Sequence, residues 1–318
     1  MVVGIVAAVT HAADRSPTPS KGPDSPHADR PRASVAANEA TMYARTLDTP
    51  SSVPPFAEYR RSSPYARPMR DRTIALSRSG YEDTTGFDTG VSHALLERVS
   101  AGELPETLRI YRPSRVVAFG KHDRLVSGFD RAVEIVRDTG YDPIVRLPGG
   151  RAAVFHEKTV AFSWTTPAPD PIRDIRERFH AVTDVLIRAL ERVGVSSGAG
   201  EIPGEYCPGE FSIHHGDRIK LAGIGQRLGR SAAHVGGVLV VGDSHAIREV
   251  LVPTYEALEI DWRPSTVGSV QDVVPGLTLE DAIDAIVSVV AEEAALITTP
   301  IGQATLDRAA ELAPLHLP

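Results

Sequence analysis

Lys220 is the residue most in need of a chemical explanation. It lies in the run Arg218-Ile-Lys220-Leu-Ala-Gly223-Ile-Gly225-Gln226-Arg227, and a lysine inside an apolar strand is costly to bury unless it is paired or has a task. Gly223 and Gly225 beside it would let a ligand approach the backbone closely. The plainer alternative is a lysine on the solvent face of an edge strand. Thirteen residues upstream stands the only cysteine of the chain, Cys207, within Gly204-Glu-Tyr-Cys207-Pro-Gly-Glu210. A lone cysteine is most often inert packing, but in a Pro/Gly loop near an ammonium group it can ionise and serve as a nucleophile. A third segment, Arg146-Leu-Pro-Gly149-Gly150-Arg151-Ala-Ala-Val-Phe-His156, pairs two adjacent glycines, which permit a tight turn, with two guanidinium groups suited to phosphate or carboxylate. Its bland alternative is a hairpin turn with two surface arginines. It is neither a P-loop nor a dinucleotide-binding fingerprint, because the glycine spacing and the Lys-Ser/Thr pair are missing.

The elements that must position these groups can be read from periodicity and breakers. Ser92 to Val99 reads as a helix, Thr107–Tyr111 and Arg115–Phe119 as strands parted by an Arg-Pro-Ser turn, and Asp130 to Thr139 as a short helix closed by Gly140. Ile144–Leu147, Ala152–His156 and Val160–Thr165 read as strands around the double glycine. Ile172, Ile175, Phe179, Val182, Leu186, Leu190 and Val193 recur at helical spacing, so a helix is expected from Pro171 to Val193, capped by Asp170 and ended by Gly194. Ile219–Gln226 and His234–Val241 follow as strands. Ser244 is expected to cap a helix interrupted by Pro253, and Thr278 with Asp281 to open a last helix reaching about Ile297. Helices and strands mix without a regular alternation, which favours α+β with a mixed, largely antiparallel sheet packed with helices. The pair His214 and His215 reads as a solvent-exposed polar turn, and His234 as a structural strand histidine.

Composition narrows the function. The chain has 318 residues. Residues 1–72 hold 10 Lys+Arg and 7 Asp+Glu, a formal +3; the remainder holds 24 and 34, a formal −10. An acidic body lacks the basic face that phosphate neutralisation needs, so no nucleic-acid partner is expected. One cysteine allows no internal disulfide and no multi-thiolate zinc site; no metal is expected, and a reduced, cytoplasmic setting fits. The longest apolar stretches are too short to span a membrane. Ten of the 25 prolines fall in the first 70 residues, where apolar side chains are sparse after Val9. The expected division is a disordered Pro/Ser/Arg-rich tail over 1–70, a catalytic domain over 71–270 and a C-terminal helical extension over 271–318 packed on it.

The glycine segment resembles the signature of the lipoate–protein ligase and octanoyltransferase family, which shares its catalytic fold with biotin–protein ligases. The matching residues are Arg146, Gly149, Gly150, Arg151, Ala152, Val154 and His156, with Ala153 as one extra residue. Lys220, Gly223, Gly225, Gln226 and Arg227 resemble the family's lysine strand, and the run from His234 to Val241 resembles the strand after it. Weaker similarity runs through Leu108–Tyr111 and Val117–Gly120, so the likeness covers roughly 85–270. It implies an enzyme whose mixed sheet holds a narrow acyl tunnel. That enzyme would attach an octanoyl or lipoyl group to a lysine of lipoyl carrier domains, in 2-oxoacid dehydrogenases or the glycine-cleavage protein.

Two chemistries stay open under that resemblance. As an octanoyltransferase, the protein would use no cofactor: Cys207 would take the acyl group from acyl carrier protein as a thioester. Lys220 would then hydrogen-bond the carbonyl oxygen, with the Gly149-Gly150 amides helping. The Gly-Gly-Arg form of the first motif resembles this cysteine-dependent branch. As a ligase, it would use ATP and Mg to make an acyl-adenylate, with Lys220 bridging carboxyl and phosphate oxygens, Arg146 and Arg151 on phosphates, and Cys207 incidental. His156, Gly223 and Gly225 would shape the substrate pocket in either case. A non-catalytic lipoyl-binding module is the rival from another class, and retention of Lys220 with both glycine motifs argues against it.

Because the first 70 residues carry so few apolar side chains, they have little to contribute to a core. A chain beginning at Arg70 is therefore expected to keep its catalytic rate and its melting temperature, measured by carrier acylation and by thermal denaturation; a fall of many degrees would show that the tail packs on the body.

Overall fold

The computed structural model describes residues 72–81 and 85–318; the tail expected over 1–70 lies outside them. Eight strands form one sheet: β1 (Thr73–Ser77), β2 (Thr107–Tyr111), β6 (Thr159–Pro167), β7 (Gly198–Ala199), β8 (Ile213–His215), β9 (Ile219–Leu228), β10 (Ala232–Val240) and β11 (Ala295–Thr298). Their spatial order is β11-β1-β2-β6-β10-β9-β8-β7. A second sheet holds β3 (Val116–Phe119), β4 (Asp142–Val145) and β5 (Ala153–Phe155) in the order β4-β3-β5. Only the β1–β11, β1–β2 and β3–β4 pairings are parallel, so the expected α+β class with mixed, mainly antiparallel sheets holds.

Each sheet buries one apolar layer against helices. Helix α3 (Ile175–Arg192) and helix α5 (Leu279–Ala291) cover one face of the large sheet. Leu186, Leu190, Ile283, Ile286 and Val289 there pack with Ile74, Leu108, Phe162 and Val235. Against the small sheet lie α2 (Phe129–Asp138) and α4 (Ser244–Ala257). Their Ala132, Val133, Val136, Ile247, Val250 and Leu251 close a second core with Val117, Phe119 and Val154. Tyr206, Tyr255 and Val267 belong to this second core, so the loop carrying Cys207 is anchored where the two sheets meet. Helix α1 (Phe87–Ser100) packs through Val91, Ala94 and Leu95 on Ala309 and Leu312 of α6 (Gln303–Leu312). No helix among the described residues is long and apolar enough to cross a membrane.

Helix α1 begins at Phe87, five residues before the expected Ser92, and four further readings give way to the structure. Helix α3 starts at Ile175 with Asp174 as its N-cap residue, not at Pro171. Asp170 to Arg173 form a turn whose Pro171 carbonyl accepts a hydrogen bond from Arg178, while the Ile175 carbonyl accepts Gln226 Nε2 at 3.1 Å. Ile172, counted on the buried face, is 48% exposed. Helix α4 runs through Pro253 without interruption, and its cap is Asp243, whose carboxylate accepts Ala246 N–H at 3.3 Å, not Ser244. Pro253 removes a single N–H from the ladder, and a helix buried against the second core tolerates that loss. The pair His214 and His215 belongs to β8, with His214 buried. Finally, the Thr278/Asp281 capping box does open a helix, but α5 ends at Ala291. The alanine-rich stretch after it reads as helix locally; tertiary pairing wins, and Ala295–Thr298 joins β1 in parallel register.

Residues 295–298 cap the β1 edge of the sheet and α6 covers α1. Ending the chain after Glu293 would uncover a strand edge and an apolar helix face together. The shortened protein is expected to aggregate or to melt many degrees lower, checked by size-exclusion chromatography and thermal denaturation; retention of the wild-type melting temperature would make the C-terminal segment a dispensable extension.

Candidate active site

The site is built by one irregularity in β9. Ile213 of β8 stands opposite Ala222, but the next residue, His214, stands opposite Lys220, so Leu221 is an extra residue on β9. Strict alternation would send Lys220 and Gly223 to opposite faces of the sheet. The bulge reverses the parity at Leu221. Leu221, Ala222 and Ile224 join the core under α3, and Lys220 shares the other face with Gly223, where a Cβ would lie 3.4 Å from Lys220 Cε. A Cβ on Gly225 would meet Pro148 Cβ at 2.9 Å, so glycine there lets the double-glycine loop lie against β9.

Lys220 is 1% exposed, which excludes the solvent-face alternative. Its ammonium group has three N–H donors, and three acceptors surround it: Glu205 Oε1 at 3.2 Å, the Tyr206 carbonyl at 3.0 Å and the Cys207 carbonyl at 2.7 Å. The Tyr206 ring lies 4.9 Å from Nζ. Glu205 Oε1 also accepts the Gly209 amide at 3.0 Å and the Ser212 hydroxyl at 2.6 Å. One buried ion pair thus gathers residues 205–212 into a fixed loop. Cys207 sits in it with φ 42, in the left-handed region that a non-glycine residue enters only when its surroundings hold it there. Those surroundings include Tyr255 on α4, whose hydroxyl accepts the Cys207 amide at 3.0 Å and donates to the Ala152 carbonyl at 2.7 Å.

The other wall is the connection between β4 and β5. Gly150 has φ 109, and a Cβ on it would lie 1.6 Å from Arg146 Nη2, so only glycine lets the loop fold over this guanidinium group. Arg146 Nη2 donates to Cys207 Sγ at 3.0 Å, and the Arg151 amide donates to the same sulfur at 3.3 Å. Arg146 Nε is buried with no hydrogen-bond partner. The Arg151 side chain pairs with fully buried Asp123 at 3.1 Å, whose second oxygen accepts the Gly120 amide at 2.8 Å.

Burial pushes the Cys207 thiol up, and the charges of Arg146 and Lys220, the Arg151 amide and the Arg146 hydrogen bond more than reverse it. The net result is a thiol more acidic than an ordinary cysteine. A thiol with two donors aimed at it and two cations nearby, on a residue only partly buried, is able to serve as a nucleophile.

Of the residues singled out in the sequence, Arg146, Gly150, Arg151, Cys207 and Lys220 come together here. Gly223 and Gly225 line the same face. Space around the Cα of Gly149 is open, and its contribution is to the turn. His156 lies apart from this cluster: its carbonyl accepts the Thr159 amide and its Nδ1 accepts the Lys158 amide at 3.2 Å, which closes the β5–β6 turn. Burial lowers its pKa. His234 bonds Thr165 Oγ1 through Nδ1 at 3.3 Å inside the sheet, and burial lowers its pKa to about 4. Glu205, Tyr255 and Asp123 were not singled out by sequence reading. A Glu two residues before the candidate nucleophile was the one available signal; Tyr255 and Asp123 are 48 and 84 residues away from Cys207 and only the fold brings them in. Among the described residues no group of three His, Cys, Asp or Glu side chains is placed to hold a metal ion.

The acidified thiol has a direct readout. Alkylation by iodoacetamide follows the thiolate, so its rate rises with pH through the thiol pKa. The wild-type midpoint is expected below the ordinary 9.0. Arg146→Ala removes a positive charge that favours the thiolate and should move the midpoint upward; an unchanged midpoint would remove Arg146 from the thiol's environment.

The chain is similar to proteins of known sequence and structure. The sequence profile of the lipoyl protein ligase A/B catalytic domain matches residues 87–291. A protein of Bacillus velezensis named octanoyl-[GcvH]:protein N-octanoyltransferase is 32% identical over 194 residues, 59% of this chain and 67% of that one. A protein of the same name from Geobacillus kaustophilus is 30% identical over 168 residues, 53% of this chain and 59% of that one. The chain therefore spans about three fifths to two thirds of the length of these curated relatives. A crystal structure of lipoate-protein ligase A bound with ATP superposes with a TM-score of 0.63 at 17% identity, over 76% of this chain and 94% of that one. The Thermoplasma acidophilum bipartite lipoate protein ligase, studied with its E2 lipoyl domain, gives 0.57 at 18% identity, over 77% and 92%. At those identities the likeness is one of fold. With the profile covering most of the described residues and both motifs in place, the chain belongs to the lipoyl protein ligase A/B catalytic domain family.

Proposed function

We propose that the protein transfers octanoyl groups between lipoyl carrier proteins through a thioester on Cys207. The observation that carries this reading is the pair of donors on Cys207 Sγ, Arg146 Nη2 at 3.0 Å and the Arg151 amide at 3.3 Å, on a thiol held acidic. The relatives named octanoyl-[GcvH]:protein N-octanoyltransferase support octanoyl as the acyl group and octanoylated GcvH as the donor. The acceptor is then a lysine of another lipoyl carrier domain, as in the 2-oxoacid dehydrogenases. Acyl carrier protein is the donor to test against GcvH. A nucleophilic cysteine that must stay reduced suits the cytoplasm.

The steps balance without a cofactor. The thiolate attacks the acyl carbonyl, the donor's C–N or C–S bond breaks, its amine or thiol leaves after taking a proton from water, and an acyl-cysteine forms. The acceptor lysine amine then attacks the thioester, loses a proton, and leaves an amide and a free thiol. Charge builds on the carbonyl oxygen in both steps. The donors nearest the sulfur are the Arg151 amide and the guanidinium of Arg146, whose buried Nε is unpartnered and able to take a substrate oxygen. Lys220 acts in this reading by its charge and by holding the carbonyls of Tyr206 and Cys207, since all its donors are engaged. The ligase alternative fits less well: the arginines it assigns to phosphates are bound to the sulfur and to Asp123.

Brief exposure to an octanoylated donor is expected to load one octanoyl group on the wild type, seen by intact-protein mass spectrometry and released by neutral hydroxylamine. Cys207→Ala should load none and should lose acceptor octanoylation by at least the roughly hundredfold typical of removing a catalytic group. Normal transfer by Cys207→Ala, with product formed only from free acid and ATP and with pyrophosphate released, would make the protein a ligase.

A further inference from the structure

The segment between β3 and α2 carries an unusual surface for so acidic a protein. Residues 73–318 have a formal charge of −10, yet Lys121, His122 and Arg124 are all exposed on a single turn. Leu125 follows them at 82% exposure, the most exposed of the large apolar side chains described. A short 3-10 helix over Asp123–Leu125 holds the turn, with the Leu125 amide on the His122 carbonyl at 3.1 Å and the Asp123 amide on the Gly120 carbonyl at 3.1 Å.

This turn is fastened to the thiol. Asp123, at its centre, faces inward and binds the Arg151 guanidinium, and the amide of the same Arg151 donates to Cys207 Sγ. At its base, a Cβ on Gly120 would lie 1.6 Å from the Gly150 carbonyl oxygen, so the turn rests directly on the double-glycine loop. Arg151 itself is 40% exposed. Three cations and one apolar side chain, Lys121, Arg124, Arg151 and Leu125, therefore lie on a turn and a loop that are joined to each other and, through the Arg151 amide, to the thiol.

We propose that this turn is the docking surface for the carrier domain. It would receive a face that is acidic beside the acylated lysine and offers an apolar contact to Leu125. The proposal rests on the acyl-transfer reading above. Charge complementarity carries it: on a body whose formal charge is −10, Lys121 and Arg124 on the turn and Arg151 beside the thiol attract an acidic face and orient the partner with its lysine toward Cys207. A solvent-exposed leucine in a tight, polar turn has no packing role in this chain, and in a docked complex it becomes a buried contact at the interface centre.

The test is the double variant Arg124→Glu/Leu125→Asp, with Lys121→Glu as a second variant; both change exposed side chains and should leave thermal melting unaltered. KM for octanoyl-GcvH is expected to rise about tenfold or more, with kcat nearly constant and the salt dependence of KM flattened. Loading of Cys207 by p-nitrophenyl octanoate, a donor with no protein face, should stay at the wild-type rate. Wild-type KM for the carrier in the variants overturns the proposal. So does an equal loss with octanoyl-CoA, which would assign the cations to a small phosphate-bearing donor. If the wild type loads no acyl group from any donor, the transfer reading itself fails. Docking is then read by calorimetric titration of the variants with octanoyl-GcvH, where affinity equal to wild type overturns it and a tenfold weakening sustains it.

Discussion

The buried ion pair between Lys220 and Glu205 is the constraint on which the site depends. Two opposite charges, 1% and 0% exposed, lie 3.2 Å apart. Losing either partner would strand the other in a low-dielectric interior, at a cost of about 3–5 kcal/mol. The pair does more than neutralise itself. Through Lys220 it holds the carbonyls of Tyr206 and Cys207, and through Glu205 it holds the Gly209 amide and the Ser212 hydroxyl. A loop that contains Pro208 and Gly209 and belongs to no strand or helix would otherwise be free to move. Tied at four points, it keeps Cys207 in a left-handed conformation and presents the sulfur to the opposite wall.

That opposite wall comes from the other sheet, so the thiol and the groups that acidify it belong to different layers of the fold. The sulfur is supplied by the loop before β8, and its donors by the β4–β5 connection. Tyr255 stitches the two: one hydroxyl accepts from Cys207 and donates to Ala152. Because the hydroxyl is deeply buried, its ionisation is pushed well above the ordinary tyrosine value, and it stays a neutral, bifunctional hydrogen-bonding group. Such an arrangement supplies its polar groups before substrate arrives, which is the usual source of electrostatic stabilisation of a developing oxyanion.

Around this centre the molecule divides its labour by depth. Two apolar cores, under α3 and α5 and under α2 and α4, fix the sheets. Between them the polar cluster of Glu205, Lys220, Cys207, Arg146 and Asp123 is almost wholly internal in its bonding. At the surface the turn at 121–125 sets Lys121, His122 and Arg124 side by side. Asp123 links these depths, with one oxygen on a backbone amide and the other on Arg151.

The sequence by itself determined the class of fold, the family resemblance and the residue types on which a chemistry could be argued. An apolar strand interrupted by Lys220, a double glycine between arginines and a cysteine in a Pro/Gly loop are local patterns, and local patterns survive in one dimension. The helical face of α3 and the β9–β10 pair were legible for the same reason: their periods are intrinsic to the backbone. What the tertiary structure decided was everything that depends on a partner distant in the chain. The β-bulge at Leu221 appears in no periodicity, yet it places Lys220 and Gly223 on one face. The start of α3, the path of α4 through Pro253 and the strand at Ala295–Thr298 were set by packing and edge pairing that outweigh local propensity. Asp123 and Tyr255 look like ordinary loop and helix residues until the fold brings them to Arg151 and Cys207. The role of Lys220 shows the division most clearly. Its residue type and glycine neighbours left a buried, employed lysine and a solvent-face lysine both open; only the structure shows that it is buried and, by the three acceptors around Nζ, that it holds the cysteine loop, because a hydrogen bond's partner is a property of space and not of sequence.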